Sequence, residues 1–179
     1  MPRTLRGYVI VSGAPGAGKS TLAVPLAARL GLPLLAKDVI KEALYDHIPA
    51  GAEPAAWSKI LGGTAMELLW TLGRCAPAAL LEANFRPGSA YERARLAALP
   101  GPLVEVHCRC PPQLAAARYA ARHPGRHPTH VSGTISPGLL AEFDGPVGLG
   151  PVFEADTAAQ VDVETLAAAV EAALMTAAG

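Results

Sequence analysis

Eight residues near the N-terminus have the types and the spacing of a phosphate-binding loop. Gly13 to Ser20 match the pattern G-x-x-x-x-G-K-[ST], between a β-branched run and a helix-like stretch. Glycines let backbone N–H groups point at phosphate oxygens, and the helix N-terminus adds a partial positive charge. Lys19 would reach the β- and γ-phosphates, and the Ser20 hydroxyl would bind Mg²⁺. The predicted nucleotide contacts are Gly13, Ala14, Pro15, Gly16, Ala17, Gly18, Lys19, Ser20 and Thr21.

Two large classes of nucleotide-binding protein do not fit this sequence. A GTPase needs the motif Asn-Lys-x-Asp to read guanine, and the only asparagine is Asn84, in Glu-Ala-Asn-Phe. A mechanical ATPase of the AAA+ type needs a larger core and a second helical domain, for which 179 residues are too few. A small phosphoryl-transfer enzyme or a nucleotide-gated binding module is left, with a plain glycine turn as the alternative to nucleotide binding.

Asp38 is the first candidate catalytic group outside the loop. It follows a short strand predicted over 33–36, at the edge where open α/β sheets place their ligands. A carboxylate there can accept the proton of a substrate hydroxyl as its oxygen attacks phosphorus. Asp also caps helices well, so the N-cap of a helix predicted over 38–46 is the alternative role, and the two roles are compatible.

Three arginines, Arg118, Arg122 and Arg126, recur at four-residue intervals. On a helix Arg118 and Arg122 share one face, and Arg126 follows in the loop after Pro124-Gly125. Arginines in such a segment are candidates for stabilising charge on a transferring phosphoryl group. An exposed basic helix face is the alternative. The spacing alone does not single out one of the three.

Cysteines and histidines in the second half of the chain raise the question of a zinc site. The residues concerned are Cys108, Cys110, His107, His123, His127 and His130. Two Cys and two His form a zinc ligand set, but Cys-x-Cys on a strand is tighter than the usual Cys-x₂-Cys spacing. Roles in the core, or in a lid formed by the segment that carries His123, His127 and His130, are therefore favoured over zinc. A histidine of that lid is a candidate for contact with phosphate or substrate.

The elements that must position these groups alternate between strands and helices. Short apolar or β-branched runs predict strands over 8–12, 33–36, 78–83, 103–108 and 152–155. Helices are predicted over 21–30, 38–46, 53–73, 90–99, 113–122 and 162–177. This alternation predicts an α/β protein in one domain over 1–179, with a parallel sheet and helices on both faces. The irregular stretch 123–150 is long for a connection, which indicates a functional lid around 118–135.

Composition and charge narrow the class of protein further. Lys plus Arg number 15 and Asp plus Glu number 15, so the formal net charge is zero. That balance argues against a general binder of nucleic acid or of anionic membranes. No apolar run reaches the roughly 18 residues of a membrane-spanning helix, and three cysteines imply no disulfide framework. We therefore expect a reduced, cytoplasmic protein whose partner is a small molecule.

Several short motifs keep a characteristic order along roughly residues 8–157. They are Gly13-Ala-Pro-Gly-Ala-Gly-Lys-Ser20, Lys37-Asp38, Leu80-Leu-Glu82-Ala-Asn84-Phe-Arg86, Val106-His-Cys-Arg-Cys110, an arginine-bearing lid and Glu154-Ala-Asp156-Thr157. This order resembles the small P-loop kinases, with chloramphenicol phosphotransferase, the zeta toxins and the gluconate- and nucleoside-kinase-like proteins as the nearest types. The resemblance implies a three-layer P-loop fold with a five-stranded parallel sheet in the order 2-3-1-4-5. It also implies ATP, Mg²⁺ and γ-phosphoryl transfer to the hydroxyl of a small acceptor.

The resemblance implies roles for individual residues. Asp38 corresponds to the Asp taken as the catalytic base in chloramphenicol phosphotransferase. Glu82 stands at the Walker B position, which holds Mg²⁺ through water, although the family often has Asp there. The three lid arginines would stabilise charge on the transferring phosphoryl group, and Arg118 would also contact the nucleotide. Asp156 and Thr157 would lie beside adenine, where the contact is usually made by the backbone.

The acceptor site is expected from two segments. Asn84 and Arg86 would follow the third strand into a loop that faces the substrate, where Arg86 could neutralise an anionic substrate or the transferring phosphate. A solvated loop residue is the alternative for Arg86. Chloramphenicol-type kinases bind acceptors under the helices between the second and third strands, so Tyr45 and Trp57 are the further candidates. Plain helix-packing core is the alternative for the aromatic residues of that region, Tyr45, Trp57 and Trp70.

These observations predict an ATP- and Mg²⁺-dependent kinase that acts on a small hydroxylated acceptor of antibiotic, sugar or nucleoside type. The first alternative is a 5′-hydroxyl polynucleotide kinase, which should show a basic groove that the zero net charge disfavours. The second is a nucleotide-binding regulatory module with little turnover. The presence of both Asp38 and Glu82 favours the enzyme over that module.

Overall fold

A computed structural model describes residues 5–51, 53–130 and 134–177 of the protein. Its strands are β1 (Gly7–Ser12), β2 (Leu34–Ala36), β3 (Ala78–Glu82), β4 (Leu103–Arg109) and β5 (Val152–Asp156). Its helices are α1 (Lys19–Leu30), α2 (Lys37–His47), α3 (Pro54–Cys75), α4 (Ala90–Ala97), α5 (Pro112–Arg122), α6 (Pro137–Ala141) and α7 (Val163–Ala177). Each predicted strand and helix is present within a few residues of its predicted bounds.

The five strands form one all-parallel sheet in the order β2-β3-β1-β4-β5. The central strand β1 is buried along its whole length, as expected for a parallel strand covered on both faces. Val9 of β1 lies beside Leu80 of β3 and Val104 of β4. The carboxyl ends of these strands therefore meet at one edge of the sheet, and the phosphate loop and Glu82 lie at that edge.

Helices pack on both faces of the sheet, so the fold has three layers. Val9 and Val11 of β1 point into a core that α1 and α7 complete. Tyr8 and Ile10 point into the opposite core, which is built with Trp70 of α3. This alternation is the period of two that a strand imposes on its side chains. Among the described residues, no helix combines the length and hydrophobicity that crossing a membrane requires.

The start of α2 corrects one prediction. Asp38 is not the N-cap, because the helix already begins at Lys37 and the capping position falls on Ala36. The reason is that β2 runs into α2 without an intervening loop, so the last strand residue, at φ −103° and ψ 122°, is also the cap. Asp38 instead lies in the first helical turn, where a carboxylate favours the helix dipole.

The stretch predicted to be irregular contains two short elements. A 3₁₀ turn covers His123–Gly125, and α6 begins after Ser136, whose hydroxyl accepts the backbone N–H of Leu139. Beyond α6, hydrogen bonds to Glu105 of β4 attach the chain to the sheet. Glu105 is 1% exposed. The Glu105 carboxylate accepts the backbone N–H groups of residues 147 and 148, at 2.9 and 2.8 Å. Buried hydrogen bonds therefore fix the end of this connection.

Candidate active site

The phosphate loop lies between β1 and α1, and its shape depends on glycine. Gly13, Gly16 and Gly18 have φ values of 130°, 86° and 82°, in the region that other residues rarely adopt. A Cβ atom at Gly16 would lie 2.1 Å from the carbonyl oxygen of Ala115 in α5. The loop therefore packs directly on the helix that carries Arg118 and Arg122.

Lys19 places its ammonium group inside this loop. The residue is 6% exposed, and Nζ donates a hydrogen bond to the carbonyl oxygen of Ala14 at 2.9 Å. Burial lowers the pKa of Lys19, and the nearby carboxylate of Glu82 opposes that effect. A buried cation in a glycine-rich loop at a helix N-terminus is well suited to a polyphosphate.

Ser20 and Glu82 bring two oxygen ligands together at the ends of adjacent elements. Ser20 Oγ donates to Glu82 Oε2 at 3.3 Å, and burial raises the pKa of Glu82 while Lys19 lowers it. A hydroxyl and a carboxylate are the hard oxygen donors that Mg²⁺ prefers, and Mg²⁺ in phosphate sites takes only one or two such ligands from protein. The donor set thus fits the predicted metal. In the described part of the chain, no three His, Cys, Asp or Glu side chains group closely enough to hold a metal by themselves.

Asp38 faces the loop from the first turn of α2. Lys37 Nζ donates to Asp38 Oδ1 at 2.9 Å, and Arg126 Nη2 lies 3.9 Å from Oδ2. Burial acts to raise the pKa of Asp38, but the charge and hydrogen bond of Lys37, together with the charge of Lys19, outweigh it, so the pKa lies below its ordinary value. The carboxylate is therefore ionised at neutral pH and able to accept a proton.

These groups line one half-open cavity of about 270 Å³ between the loop, α2, the end of β3 and the lid. The predicted residues that it brings together are Pro15, Gly16, Gly18, Lys19, Ser20, Asp38, Glu82, Asn84, Arg86, Arg122 and Arg126. We call this space the acceptor cavity. It is also lined by His130, one of the lid histidines considered for contact with phosphate or substrate. Its other lining residues, which were not predicted from the sequence, are Lys37, Lys41, Ser58, Tyr119, Ile135, Leu139 and Phe143. The sequence did contain one signal for Lys37 and Lys41, because residues 37, 38 and 41 share a helix face at that spacing.

A second cavity, of about 580 Å³, lies on the other side of the loop. Thr21, Arg118 and Thr157 line it together with apolar residues of α1 and α7, which suits the base of a nucleotide. Arg118 Nη1 donates to the carbonyl oxygen of Thr157 at 3.0 Å. Arg122 lines both cavities. Asp156 lines a third cavity instead, and its carboxylate accepts the backbone N–H of residue 158.

The two aromatic candidates for the acceptor site do not line the acceptor cavity. The ring of Tyr45 meets the ring of His127 edge-on, with centroids 5.2 Å apart. Trp57 packs on the backbone of Gly51. Trp70 lies in the core with its ring centroid 5.5 Å from that of Phe85. The aromatic residues of this region thus serve helix and lid packing, and charged residues of α2 face the cavity instead.

The segment 123–130, which we call the lid segment, rests on α2 and α3. His127 Nε2 pairs with Asp46 Oδ1 at 3.0 Å, and His130 Nε2 with Glu42 Oε1 at 2.8 Å. The carbonyl oxygen of Thr129 accepts from Ser58 Oγ at 2.6 Å and from Lys41 Nζ at 3.1 Å. His127 and His130 therefore bind carboxylates of α2. Residues 131–133 of the predicted lid lie outside the described residues.

Comparison with solved structures identifies the fold. The chain is 28% identical to a candidate kinase from Chloroflexus aurantiacus, with a TM-score of 0.79 and coverage of 96% of this chain and 100% of that one. A gluconokinase from Sinorhizobium meliloti matches at 18% identity and a TM-score of 0.61, covering 98% and 95% of the two chains. Kti12 from Chaetomium thermophilum, solved with ADP-AlF3, matches at 14% identity and 0.64, covering 94% and 99%. These likenesses confirm the three-layer P-loop fold and the resemblance to small P-loop kinases.

A family match covers most of the chain. No curated protein matches the sequence, but residues 9–146 match the family AAA_33, described as an AAA domain. The matched residues include the phosphate loop, the first four strands and the lid. The described part of the chain adds no second helical domain to this sheet, so the match concerns the nucleotide-binding unit. The chain therefore belongs to the AAA_33 family of AAA domains.

Proposed function

We propose that this protein is a kinase that transfers the γ-phosphoryl group of ATP to a hydroxyl group of a small acceptor, with Mg²⁺. The observation that carries the proposal is that one cavity is lined by both Lys19 of the phosphate loop and Asp38 of α2. A nucleotide-binding protein without an acceptor has no need of the part of the cavity that lies around Asp38. The likeness to a candidate kinase at 28% identity supports the same class of reaction.

The position of the two cavities suits direct transfer. Gly16, Gly18 and Arg122 line both the nucleotide-side cavity and the acceptor cavity. A γ-phosphate held on the loop would therefore lie where the two cavities meet. In that position an acceptor hydroxyl could approach phosphorus from the side opposite to the leaving oxygen, as in-line phosphoryl transfer requires.

In the proposed reaction the acceptor oxygen attacks the γ-phosphorus. A new O–P bond forms, the bond between that phosphorus and the β–γ bridging oxygen breaks, and its electron pair leaves with ADP. The hydroxyl proton passes to the carboxylate of Asp38, which is ionised at neutral pH. Lys19 and Arg122 stabilise charge on the phosphoryl oxygens. When bound, Mg²⁺ neutralises phosphate charge, and Ser20 and Glu82 are the residues that would hold it.

A coupled assay of ADP release tests the proposal. ATP and Mg²⁺ are supplied with a panel of hydroxylated acids, sugars, nucleosides and aminoglycoside-type alcohols, and the product is identified by mass as acceptor plus one phosphoryl group. We expect one class of acceptor to raise ADP release well above the rate with water alone. Tight ATP binding with no acceptor-dependent ADP release over the whole panel would contradict a kinase of this type.

A nucleotide-binding regulatory module is the second candidate, and one observation favours it. Lys37 holds the pKa of Asp38 below its ordinary value, which makes the carboxylate a weak base. Asp38 nevertheless lines the same cavity as Lys19, and this geometry favours the kinase. The assay separates the two functions, because a regulatory module would bind ATP and change its lid contacts without forming a phosphorylated product.

A further inference from the structure

The acceptor cavity carries more positive charge than the proposed reaction uses. Six of its lining residues are Lys or Arg and two are Asp or Glu. The phosphates of ATP account for Lys19 and Arg122, which adjoin the loop. Two of the other cations are already paired. Lys37 binds Asp38 at 2.9 Å, and Arg86 is bound by two carboxylates at 2.8 and 3.2 Å. Lys41 and Arg126 are left, one from α2 and one from the lid segment.

Arg126 has an unmet hydrogen-bonding group at this cavity. Its Nη1 atom is buried and, within the described residues, has no hydrogen-bond partner. Its guanidinium lies over the ring of Tyr119 at 4.6 Å, which restrains the orientation of the planar fork. Its nearest carboxylate, Asp38, is 3.9 Å away, beyond hydrogen-bond distance. A buried unpaired guanidinium N–H is costly, and a planar oxyanion is the ligand that satisfies it best.

Lys41 is a buried cation without a carboxylate partner among the described residues. It is 7% exposed and donates to two neutral acceptors, Ser58 Oγ at 2.7 Å and the carbonyl oxygen of Thr129 at 3.1 Å. Burial and the nearby charge of Lys37 lower its pKa to about 8. Holding a cation in such a place is unfavourable unless a counterion joins it. The cavity that Lys41 lines is the open route for that counterion.

We propose that the acceptor is a small hydroxylated anion whose carboxylate or phosphate group binds between Lys41 and Arg126, while its hydroxyl group lies at Asp38. This inference rests on the proposed kinase function. It also divides the three lid arginines by location. Arg118 serves the nucleotide side, Arg122 lies where the two cavities meet, and Arg126 recognises the acceptor. The cavity, of about 270 Å³, has room for a small molecule.

Calorimetric binding tests the proposal without requiring turnover. The protein is saturated with a non-hydrolysable ATP analogue and Mg²⁺, and then titrated with matched pairs: hydroxy acids against their amides, and sugar phosphates against the free sugars. We expect at least one anion to bind about tenfold or more tightly than its neutral partner. The acid pairs and the phosphate pairs identify which oxyanion is used.

Variants assign the preference to the two cations. Arg126→Gln and Lys41→Met should each reduce the anion-over-neutral ratio about tenfold or more and leave the affinity for the ATP analogue unchanged. Ser58→Ala is not a suitable control, because Ser58 lines the cavity and accepts from Lys41 Nζ. Lys59→Met removes an exposed lysine of α3 and should keep the ratio.

The outcomes separate this inference from the kinase proposal. Phosphorylation of neutral acceptors alone would overturn the anionic acceptor and leave the kinase standing. Anion binding that depends on Lys41 and Arg126 without product formation would support the subsite and contradict the kinase. Binding of no anion by a protein that still binds the ATP analogue, or equal loss of the ratio in Lys59→Met, would overturn the inference.

Discussion

Lys19 carries its charge in a loop that excludes most of its water. The residue is 6% exposed and its ammonium group donates to one carbonyl oxygen, and burial lowers its pKa. The free protein therefore holds a cation that is poorly solvated, and a triphosphate would restore the lost favourable interactions. At the scale of the residue, the desolvation of Lys19 is unfavourable in the free protein, and a bound anion offsets this cost.

Lys19→Met keeps the length of the side chain and removes its charge. We expect the affinity for ATP to fall about 10–100-fold, the usual worth of hydrogen bonds to charged groups, while the nucleotide-free protein melts at the same temperature or slightly higher. Equilibrium binding of a fluorescent ATP analogue and a thermal melt measure both effects. An unchanged ATP affinity in the folded variant would contradict the nucleotide assignment.

Asp38→Asn tests the proposed base. Because Ala36 caps α2, the substitution removes no capping group, and the fold should be retained. We expect kcat to fall roughly 10²–10⁴-fold with ATP affinity unchanged. ATP affinity at low and high Mg²⁺, measured beside kcat, separates other roles. If affinity fell chiefly at low Mg²⁺, Asp38 would belong to the metal shell, and an unchanged kcat would exclude it as the base.

Lys41 predicts a pH dependence of anion binding. Its pKa in the free protein is about 8, set first by burial and then by Lys37, Asp38, Arg126 and Glu42 around it. The residue is protonated below that pH and loses its charge as the pH rises through it. The dissociation constant for the anionic acceptor should therefore be steady from pH 6.5 to 7.5 and rise several-fold by pH 9. In Lys41→Met the constant should start high and change little over the same range.

At the scale of the element, the lid segment and α2 act as a pair. Two histidine–carboxylate contacts and two hydrogen bonds to Thr129 hold the segment on α2 and α3. Burial outweighs Glu42 and lowers the pKa of His130, so its imidazole is neutral at pH 7. Three of these contacts use residues that line the acceptor cavity or adjoin it. Closing of the lid and binding of the acceptor are thus expected to be coupled.

Trypsin cleavage after Arg122 and Arg126 reports lid opening. We expect His130→Ala to raise the cleavage rate several-fold because the contact with Glu42 is lost, and an ATP analogue with Mg²⁺ to lower it. His47→Ala removes an exposed histidine of α2 that bonds only its own helix, and it should cleave like the unchanged protein. Equal cleavage in all three proteins, with and without the analogue, would contradict a mobile lid.

The sequence predicted the elements better than it predicted the acceptor cavity. Buried parallel strands are continuous apolar runs, and the phosphate loop has a fixed pattern, so both are readable locally. Lys41 was missed because a lysine on a helix is ordinarily solvated, and only the approach of Thr129, far along the chain, buries it. Trp57 was predicted to face the acceptor, but large aromatic side chains fit packing and binding roles equally well.

At the scale of the whole molecule, Glu105 joins three segments that are distant in sequence. Its carboxylate accepts from Ser12 Oγ at 2.5 Å, just before the phosphate loop, and from the backbone of residues 147 and 148, just before β5. Ser12 Oγ also lies 2.9 Å from His107 Nδ1. The network connects the end of β1, where the phosphate loop begins, to the segment between α6 and β5. The sequence analysis missed it because a glutamate within an apolar strand is a weak signal alone.

Glu105→Ala would remove the acceptor of two buried donors, Ser12 Oγ and the backbone N–H of residue 147. We expect the free energy of unfolding to fall by about 2 kcal/mol or more, since each unsatisfied buried group costs ~1–3 kcal/mol. Glu154→Ala in β5 is the matched control, because its ion pair with Arg109 is exposed and should contribute ~0–1 kcal/mol. Urea denaturation of both variants measures the difference, and equal losses would contradict the structural role of Glu105.

The central place of β1 has a consequence for how the protein is made. Of the five strands this one is synthesised first, yet its partners begin only at Ala78 and Leu103. At ~5–20 residues per second, translation leaves the strand unpaired for several seconds. All six of its residues are buried in the finished fold, so the nascent chain exposes an aggregation-prone β-segment throughout that interval. We therefore expect the yield of active protein in cells to depend on elongation rate and on chaperone supply, even where the completed fold is stable.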